Sequence, residues 1–270
     1  MAVSVALVQV DVSSSETPDA RQARVLNMIA EAAAGAEFLL LPELWHVGAH
    51  DLPTARTHAQ SLDGPLVRQL ASAARAHGVW LHGGSIAERD PGGRLFNTSV
   101  LFSPAGELVA TYRKIHLFGF DSGESVVMSG GSSLELTMTP LGTTGLATCY
   151  DLRFPELFRG LTQAGAEAVV ITSGWPTARI DQWSVLLQAR AIENQSWVIA
   201  CNEVGVQGSG AERIELGGMS AVIAPTGQVI ASGGSEECIV FASVEPDAAA
   251  QLRSAFPVLR DVRMRSEFKD

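Results

Sequence analysis

Cys149, Glu43 and Lys114 are of the types that could do nucleophilic chemistry together, and each stands where an apolar run gives way to polar residues. Cys149 closes GLATC and is followed at once by Tyr150, Asp151 and Arg153; Glu43 follows LLLP; Lys114 lies in TYRKIHLFGF. A thiol near its unperturbed pKa of about 8.5 is mostly protonated at neutral pH, so it needs a base or a nearby cation. A carboxylate can take the proton, and an ammonium favours the thiolate. As sulfur attacks a carbonyl carbon, negative charge grows on the oxygen, where preorganised donors contribute about 3 kcal/mol each. Lys114 and the backbone N–H of Tyr150 are the candidates for those donors. Taken singly, each residue has an ordinary structural reading: a small buried hydrophobe, a loop or helix-start carboxylate, and a solvated loop charge.

The surrounding pattern supplies the elements that must position them. Apolar, β-branched runs alternate with helical patterns, the mark of α/β layering. Strands are predicted at 3–10, 37–41, 79–84, 96–103, 107–113, 144–149, 167–172, 196–202, 219–224, 227–232 and 237–243, and helices at 19–34, 65–77, 154–164, 180–194 and 246–254. Asp19 is expected to cap the first helix and Gly35 to end it. The words also repeat: LLLPELW answers VVITSGW, VWLHGGS answers WVIACNE, and SVLFSPAGELVA answers SAVIAPTGQVIA. Two similar halves, each with a sheet apolar on both faces, predict a single-domain α/β fold over residues 1–270, a four-layer α-β-β-α sandwich with two pseudo-repeated halves. Ligands of open α/β sheets bind beyond the carboxyl ends of strands, which is where Glu43 and Cys149 would meet. A helix starting within residues 151–156, with Pro155 in its first turn, would add partial positive charge near the sulfur.

Composition narrows the classes. The chain has 270 residues, enough to bury about three quarters of its extended surface in one large domain or two small ones. A net charge of −10 argues against nucleic acid, since phosphate backbones demand clustered Lys and Arg. The apolar start lacks preceding basic residues, and no run of about 18 apolar residues follows, so no membrane span is expected. Cys149, Cys201 and Cys238 are far apart and odd in number, which predicts a reducing cytoplasm instead of a disulfide framework or a zinc site. Cys201 and Cys238, inside apolar strands, are expected to be packing residues. No cofactor or metal is implied. The glycine pairs 83–84, 130–131, 217–218 and 233–234 lack the phosphate-binding fingerprints and read as turns. His116 follows Lys114 by two residues and would share its face if the strand continued. No papain-like word accompanies Cys149, so His116 is expected to be a hydrogen-bonded neighbour and not the base.

In wording and order, LLLPELW, YRKIHLF, GLATCYDLRFPELFR, TSGWP, ARAIENQSWVIACN and GGMSAVIAPTGQVIA resemble the carbon-nitrogen hydrolase, or nitrilase, superfamily over nearly the whole chain. Tyr150-Asp151 resembles its small-amidase branch, which includes omega-amidases and deaminated-glutathione amidases, where true nitrilases carry Trp-Glu. The resemblance implies a Glu-Lys-Cys set on Glu43, Lys114 and Cys149, with a second glutamate at Glu124 in SGESVV. It also implies the four-layer sandwich and homodimers or larger homo-oligomers. The stretch AFPVLRDVRMRSEFKD, part of a C-terminal tail from about residue 251, resembles a subunit-contact tail. The expected activity is hydrolysis of a small linear amide through a Cys149 thioester. Glu124 would hold either Lys114 or the substrate. Trp175 and Phe118 resemble pocket walls. Arg153 could meet a substrate carboxylate, as in 2-oxoglutaramate or succinamate, or pair internally with Glu156. Alternatives are hydrolysis of a nitrile or an N-carbamoyl amine at the same site, or a non-catalytic binding protein.

Overall fold

Alternation along the first strand decides where two of the layers go. In β1 (Val3–Gln9), Val5 and Leu7 face the core between the sheets, while Ala6 and Val8 face helices. The computed structural model describes residues 1–119 and 121–264, leaving aside the side chain of Ala211. Phe120 of HLFGF and the last six residues of the C-terminal tail lie outside the described residues. After β1 come α1 (Pro18–Ala33), β2 (Phe38–Leu40), α2 (Leu52–Thr57), α3 (Pro65–His77), β3 (Trp80–Arg89), β4 (Leu95–Phe102), β5 (Leu108–Arg113) and α4 (Glu124–Val127). Then follow β6 (Leu136–Thr139), β7 (Gly142–Thr148), α5 (Pro155–Gln163), β8 (Ala168–Ser173), α6 (Ile180–Asn194) and β9 (Trp197–Asn202). The hairpin β10 (Val204–Gln207) and β11 (Ile214–Gly217), then β12 (Ala221–Ile223), β13 (Val229–Ser232), β14 (Cys238–Val244) and α7 (Ala248–Ala255) complete the chain.

Two six-stranded sheets carry the pseudo-repeat, in the orders β14-β1-β2-β3-β4-β5 and β6-β7-β8-β9-β12-β13. In each, three parallel strands are followed by two antiparallel ones, and an antiparallel strand guards the first. The guard differs in origin: β6 immediately precedes its half, whereas β14 returns from the far end of the chain to lie beside β1. The largest core holds Leu7, Leu40 and Leu101 of one sheet with Leu146, Ile171 and Ile199 of the other, and Leu157 and Leu187 of α5 and α6 beyond. A second core joins the outer face of the first sheet to Val25 and Ile29 of α1 and Leu66 and Leu70 of α3. This is the expected α-β-β-α layering.

Several local expectations need correction. Thr17, and not Asp19, caps α1, its hydroxyl accepting the Ala20 N–H at 3.3 Å, because Pro18 takes the first helical position, where no N–H is needed. The helix ends through Ala34, one residue before Gly35. Gly83-Gly84 is no turn: it lies inside β3 at a shift in register. A Cβ on Gly84, at φ +69°, would come 2.0 Å from the Pro42 carbonyl oxygen, so glycine lets the loop after β2 pass close. The sequence reading misses β6, the β10–β11 hairpin, α2 and α4, whose short spans carry too little periodicity to register. Asp51 caps α2 by accepting the Thr54 N–H at 3.0 Å.

Candidate active site

The Gly84 passage aims the first of the three side chains. Where β2 ends, the Leu44 N–H donates to the Ser85 hydroxyl at 3.0 Å and the Trp45 indole N–H to the Gly83 carbonyl at 2.9 Å, so the loop is stapled to the irregular stretch of β3. Leu44 is held at φ +41°. Glu43, 2% exposed, therefore points across the stack, and its Oε2 accepts the Gly174 N–H at 2.9 Å just beyond β8. The words LLLPELW and VVITSGW thus meet at the carboxyl ends of equivalent strands.

Lys114 stands one residue beyond β5 and still pairs with β4, its N–H donating to the Asn97 carbonyl at 2.9 Å. Its buried Nζ donates to Glu43 Oε1 at 2.7 Å and to Glu124 Oε2 at 2.5 Å. The Asn97 amide bridges the same carboxylates, at 2.7 Å from Glu43 Oε1 and 2.7 Å from Glu124 Oε1. Burial works against the ammonium, yet Glu124 and Glu43 outweigh it and hold the Lys114 pKa well above its ordinary value. An ammonium has three N–H bonds, so one is left for a third acceptor. Of the two roles considered for Glu124, holding Lys114 is the one its contacts match.

Cys149 follows β7 and opens a 3-10 turn, Cys149–Arg153, at φ +46°. Asp151 enforces that unusual backbone. It forms a capping box with Thr148, accepting the Thr148 N–H at 3.0 Å, and it also accepts the Tyr112 hydroxyl at 2.7 Å and the His116 N–H at 3.0 Å. Burial pushes the Cys149 thiol well up, the Glu43 carboxylate adds to this, and Lys114 works the other way. The resting sulfur is therefore a thiol, with carboxylate and ammonium beside it. The N–H of Tyr150 is in the first turn, where helix amides have no acceptor of their own. The expected helix dipole is corrected: α5 begins only at Pro155, since residues 149–153 form the tighter turn.

These groups floor a cavity of about 990 Å³, lined among others by Glu43, Lys114, Glu124, Cys149, Tyr150, Phe118, Trp175 and Arg153. His116 is not on this wall. β5 ends at Arg113, so the shared face fails; His116 instead stacks on Phe154 at 3.7 Å and donates from Nδ1 to Asp151 at 2.7 Å. Arg153 donates to Gln182 at 2.7 Å and lies over Trp175, and no bond joins it to Glu156 among the described residues. Cys201 is buried and donates to the Val8 carbonyl across the sheets, and Cys238 is partly exposed beside β1. Sequence reasoning misses Asn97, Asp151, His50 and Glu203 as parts of the site. His50 lines the cavity and donates from Nε2 to the Gly174 carbonyl at 2.9 Å; burial lowers its pKa and keeps the ring neutral.

Glu203 is fully buried behind that wall. Its Oε2 accepts the Ala49 N–H at 3.3 Å, and its Oε1 has no partner among the described residues. Burial pushes its carboxyl well above the ordinary carboxylate value of 4.5, and the Glu43 carboxylate pushes the same way, so Glu203 is held as the neutral acid. The unfolded chain releases this proton near 4.5 and the native protein only at much higher pH. The contribution to stability is therefore complete below that value and is lost as pH rises through the folded pKa. Glu203→Gln keeps shape and neutrality. Its stability relative to the native protein, read from urea midpoints between about pH 5 and about pH 9, is expected to rise with pH by up to about 1 kcal/mol per pH unit. A difference that stays constant with pH would contradict the neutral assignment.

Residues 4–254 match the model of the carbon-nitrogen hydrolase family. The chain belongs to that family. It is 40% identical over 268 residues to a 2-oxoglutaramate amidase of Paenarthrobacter nicotinovorans, covering 97% of this chain and 90% of that protein. It is 34% identical to the omega-amidase NIT2 of Homo sapiens, covering 96% and 94%. Its fold superposes with a TM-score of 0.87 on Saccharomyces cerevisiae Nit3, a member of branch 10 of the nitrilase superfamily, at 30% identity and 97% coverage of both chains. The resemblance on the quoted words and the hydrolase class it implied agree with these findings. Among the described residues no helix is long and apolar enough to cross a membrane.

Proposed function

We propose that this carbon-nitrogen hydrolase cleaves the terminal amide of a small dicarboxylic acid monoamide, such as 2-oxoglutaramate, to carboxylate and ammonia. Lys114 bridging Glu43 and Glu124 beside a strained Cys149, on the floor of an open cavity, is the observation that carries this reading. The relatives named 2-oxoglutaramate amidase and omega-amidase support the substrate class.

Cys149 is the nucleophile. Glu43 takes its proton as sulfur bonds to the amide carbon, and the carbonyl electron pair moves onto oxygen. The third N–H of Lys114 and the Tyr150 N–H receive that negative oxygen. The tetrahedral species then collapses: the C–N bond breaks, Glu43 returns the proton to nitrogen, ammonia leaves, and a thioester remains on Cys149. Water attacks the thioester with Glu43 as base, the C–S bond breaks, and the proton passes from Glu43 to sulfur. Glu124 and Asn97 hold Lys114 and Glu43 in place throughout.

Ammonia release from 2-oxoglutaramate, succinamate, deaminated glutathione, an N-carbamoyl amino acid and an aliphatic nitrile tests the reading. Turnover of a dicarboxylate monoamide well above the others supports it. Preference for the nitrile or the carbamoyl compound would replace it with the corresponding hydrolase.

The same reading takes residues 1–270 as one domain, because both sheets share a core, acting in a reducing cytoplasm, supported by three unpaired thiols. It takes the protein as a homodimer or larger homo-oligomer with the tail from about residue 251 at a contact. Exposed Phe256 and Val262 on the described part of that tail support this. Sedimentation velocity is expected to give at least a dimer, and a monomer at micromolar concentration would refute it.

A further inference from the structure

The nucleophile has a neighbour that the steps above leave idle. β7 and β8 run parallel with Thr148 opposite Thr172, so the next residues, Cys149 and Ser173, stand side by side at the carboxyl ends of the two strands. Neighbouring strands lie about 4.8 Å apart, which brings the adjoining side chains within reach of each other. Ser173 is wholly buried, and its hydroxyl has no hydrogen-bond partner among the described residues. Other buried hydroxyls nearby are used: Thr148 meets Ser99 at 3.1 Å, Thr172 donates to the Leu41 carbonyl at 3.0 Å, and Ser85 accepts the Leu44 N–H at 3.0 Å. Burying a hydroxyl without a partner is costly, so an idle one beside a reacting sulfur calls for a use.

The backbone at Ser173 is fixed by the reacting groups themselves. Its carbonyl accepts the Glu43 N–H at 3.4 Å and the Glu203 N–H at 3.1 Å, and the next N–H, of Gly174, donates to Glu43 Oε2 at 2.9 Å. One short stretch therefore holds the base and carries the hydroxyl. The charges around the sulfur come from three elements: Glu43 after β2, Lys114 after β5, and Glu124 of α4, paired to Lys114. Burial first and the Glu43 carboxylate second push the Cys149 thiol up, while the Lys114 ammonium and then the Ser173 hydroxyl draw it down. The hydroxyl thus acts on the sulfur, and it favours the charged form. A thiol is a weak acceptor, whereas hydrogen bonds to an ionised acceptor are the strong ones. A donor idle at rest and used only when the sulfur is charged lowers the barrier without steadying the resting state.

We infer that Ser173 is a further catalytic residue, its buried hydroxyl donating to the Cys149 sulfur whenever that sulfur carries charge. The hydroxyl keeps its own proton throughout. It donates as the S–H proton passes to Glu43, lets go as the C–S bond forms, and donates again as the C–S bond breaks in deacylation. This deepens the amidase reading above and rests on it for turnover, while the bond to sulfur is independent of which amide is cleaved.

Alkylation of Cys149 by iodoacetamide, located by peptide mass and followed from about pH 6 to about pH 10, tests this without substrate. Ser173→Ala is expected to slow alkylation about 10-fold at any pH below the thiol pKa and to move the profile up by about one pH unit, the effect of losing one charge-assisted bond. Ser173→Thr keeps the hydroxyl and is expected to recover part of the rate. The urea midpoint of Ser173→Ala should equal or exceed the native one, because an unpaired buried hydroxyl is lost. Alkylation of Ser173→Ala at the native rate with an unchanged profile would overturn the assignment. A slower reaction that comes with a lowered urea midpoint, or equal rates in the Ala and Thr variants, would overturn it as well. Ammonia release from succinamate is measured in parallel, and Ser173→Ala is expected to lower kcat about 10-fold with KM unchanged. No ammonia from the native protein, beside a shifted alkylation profile in Ser173→Ala, would strike the amidase reading and leave the Ser173 bond standing.

Discussion

Cys149→Ala is expected to lower ammonia release from 2-oxoglutaramate or succinamate by at least about 10⁴-fold while the protein stays folded. Removing the nucleophile of a covalent mechanism deletes the whole acylation route, and what remains comes from binding and oxyanion donors alone. The fold should survive because the turn at 149 is held from outside the side chain. Asp151 caps Thr148 and accepts from Tyr112 and His116, and none of these bonds involves sulfur. Alanine meets the same left-handed backbone cost as cysteine, on the order of 1–2 kcal/mol, so that cost cancels in the comparison. An ammonia assay together with a thermal midpoint within a few degrees of the native value checks both halves. Residual activity above about 1% would remove Cys149 from the mechanism.

Lys114→Met is expected to cost more than activity. The Lys114 ammonium sits between two buried carboxylates, and deleting it leaves both without their counter-charge. Breaking a buried ion pair in this way destabilises by about 3–5 kcal/mol, a large part of a typical total stability of about 5–15 kcal/mol. Loss of an oxyanion donor adds about 10²–10³-fold in rate. A combined variant separates the two effects. Lys114→Met with Glu43→Gln and Glu124→Gln removes all three charges, so the urea midpoint should recover much of the loss while activity remains absent. If the single and triple variants are equally unstable, the ion triad is not what holds this part of the core.

How far the sequence reveals this site depends on the range of the interactions. Glu43, Lys114 and Cys149 end or follow apolar strands, so their position at the carboxyl edge is a local property. The matching words of the two halves are local as well, and they mark as equivalent the two strands whose ends bring residues 43 and 174 together in the fold. Asn97 and Asp151 are different. Asn97 acts on Glu43 across 54 positions of chain and carries no local mark, whereas Asp151 acts on Tyr112 across 39 but also locally. Asp151 stands two residues from Cys149, and the Thr-x-x-Asp spacing of a capping box was available to point to it. His116 errs in the opposite direction. Strand alternation places it beside Lys114 only if β5 continues, and β5 stops at Arg113.

The central claim is that Cys149 carries the acyl group between the two halves of the reaction. Acid-quenching the native protein within milliseconds of mixing with succinamate, followed by intact-mass and peptide-mass measurement, tests it most directly. A mass gain equal to the acyl group, located on the peptide holding Cys149 and formed in step with a burst of ammonia, is the predicted result. Steady ammonia release with no adduct at any quench time, or an adduct on another residue, would contradict it.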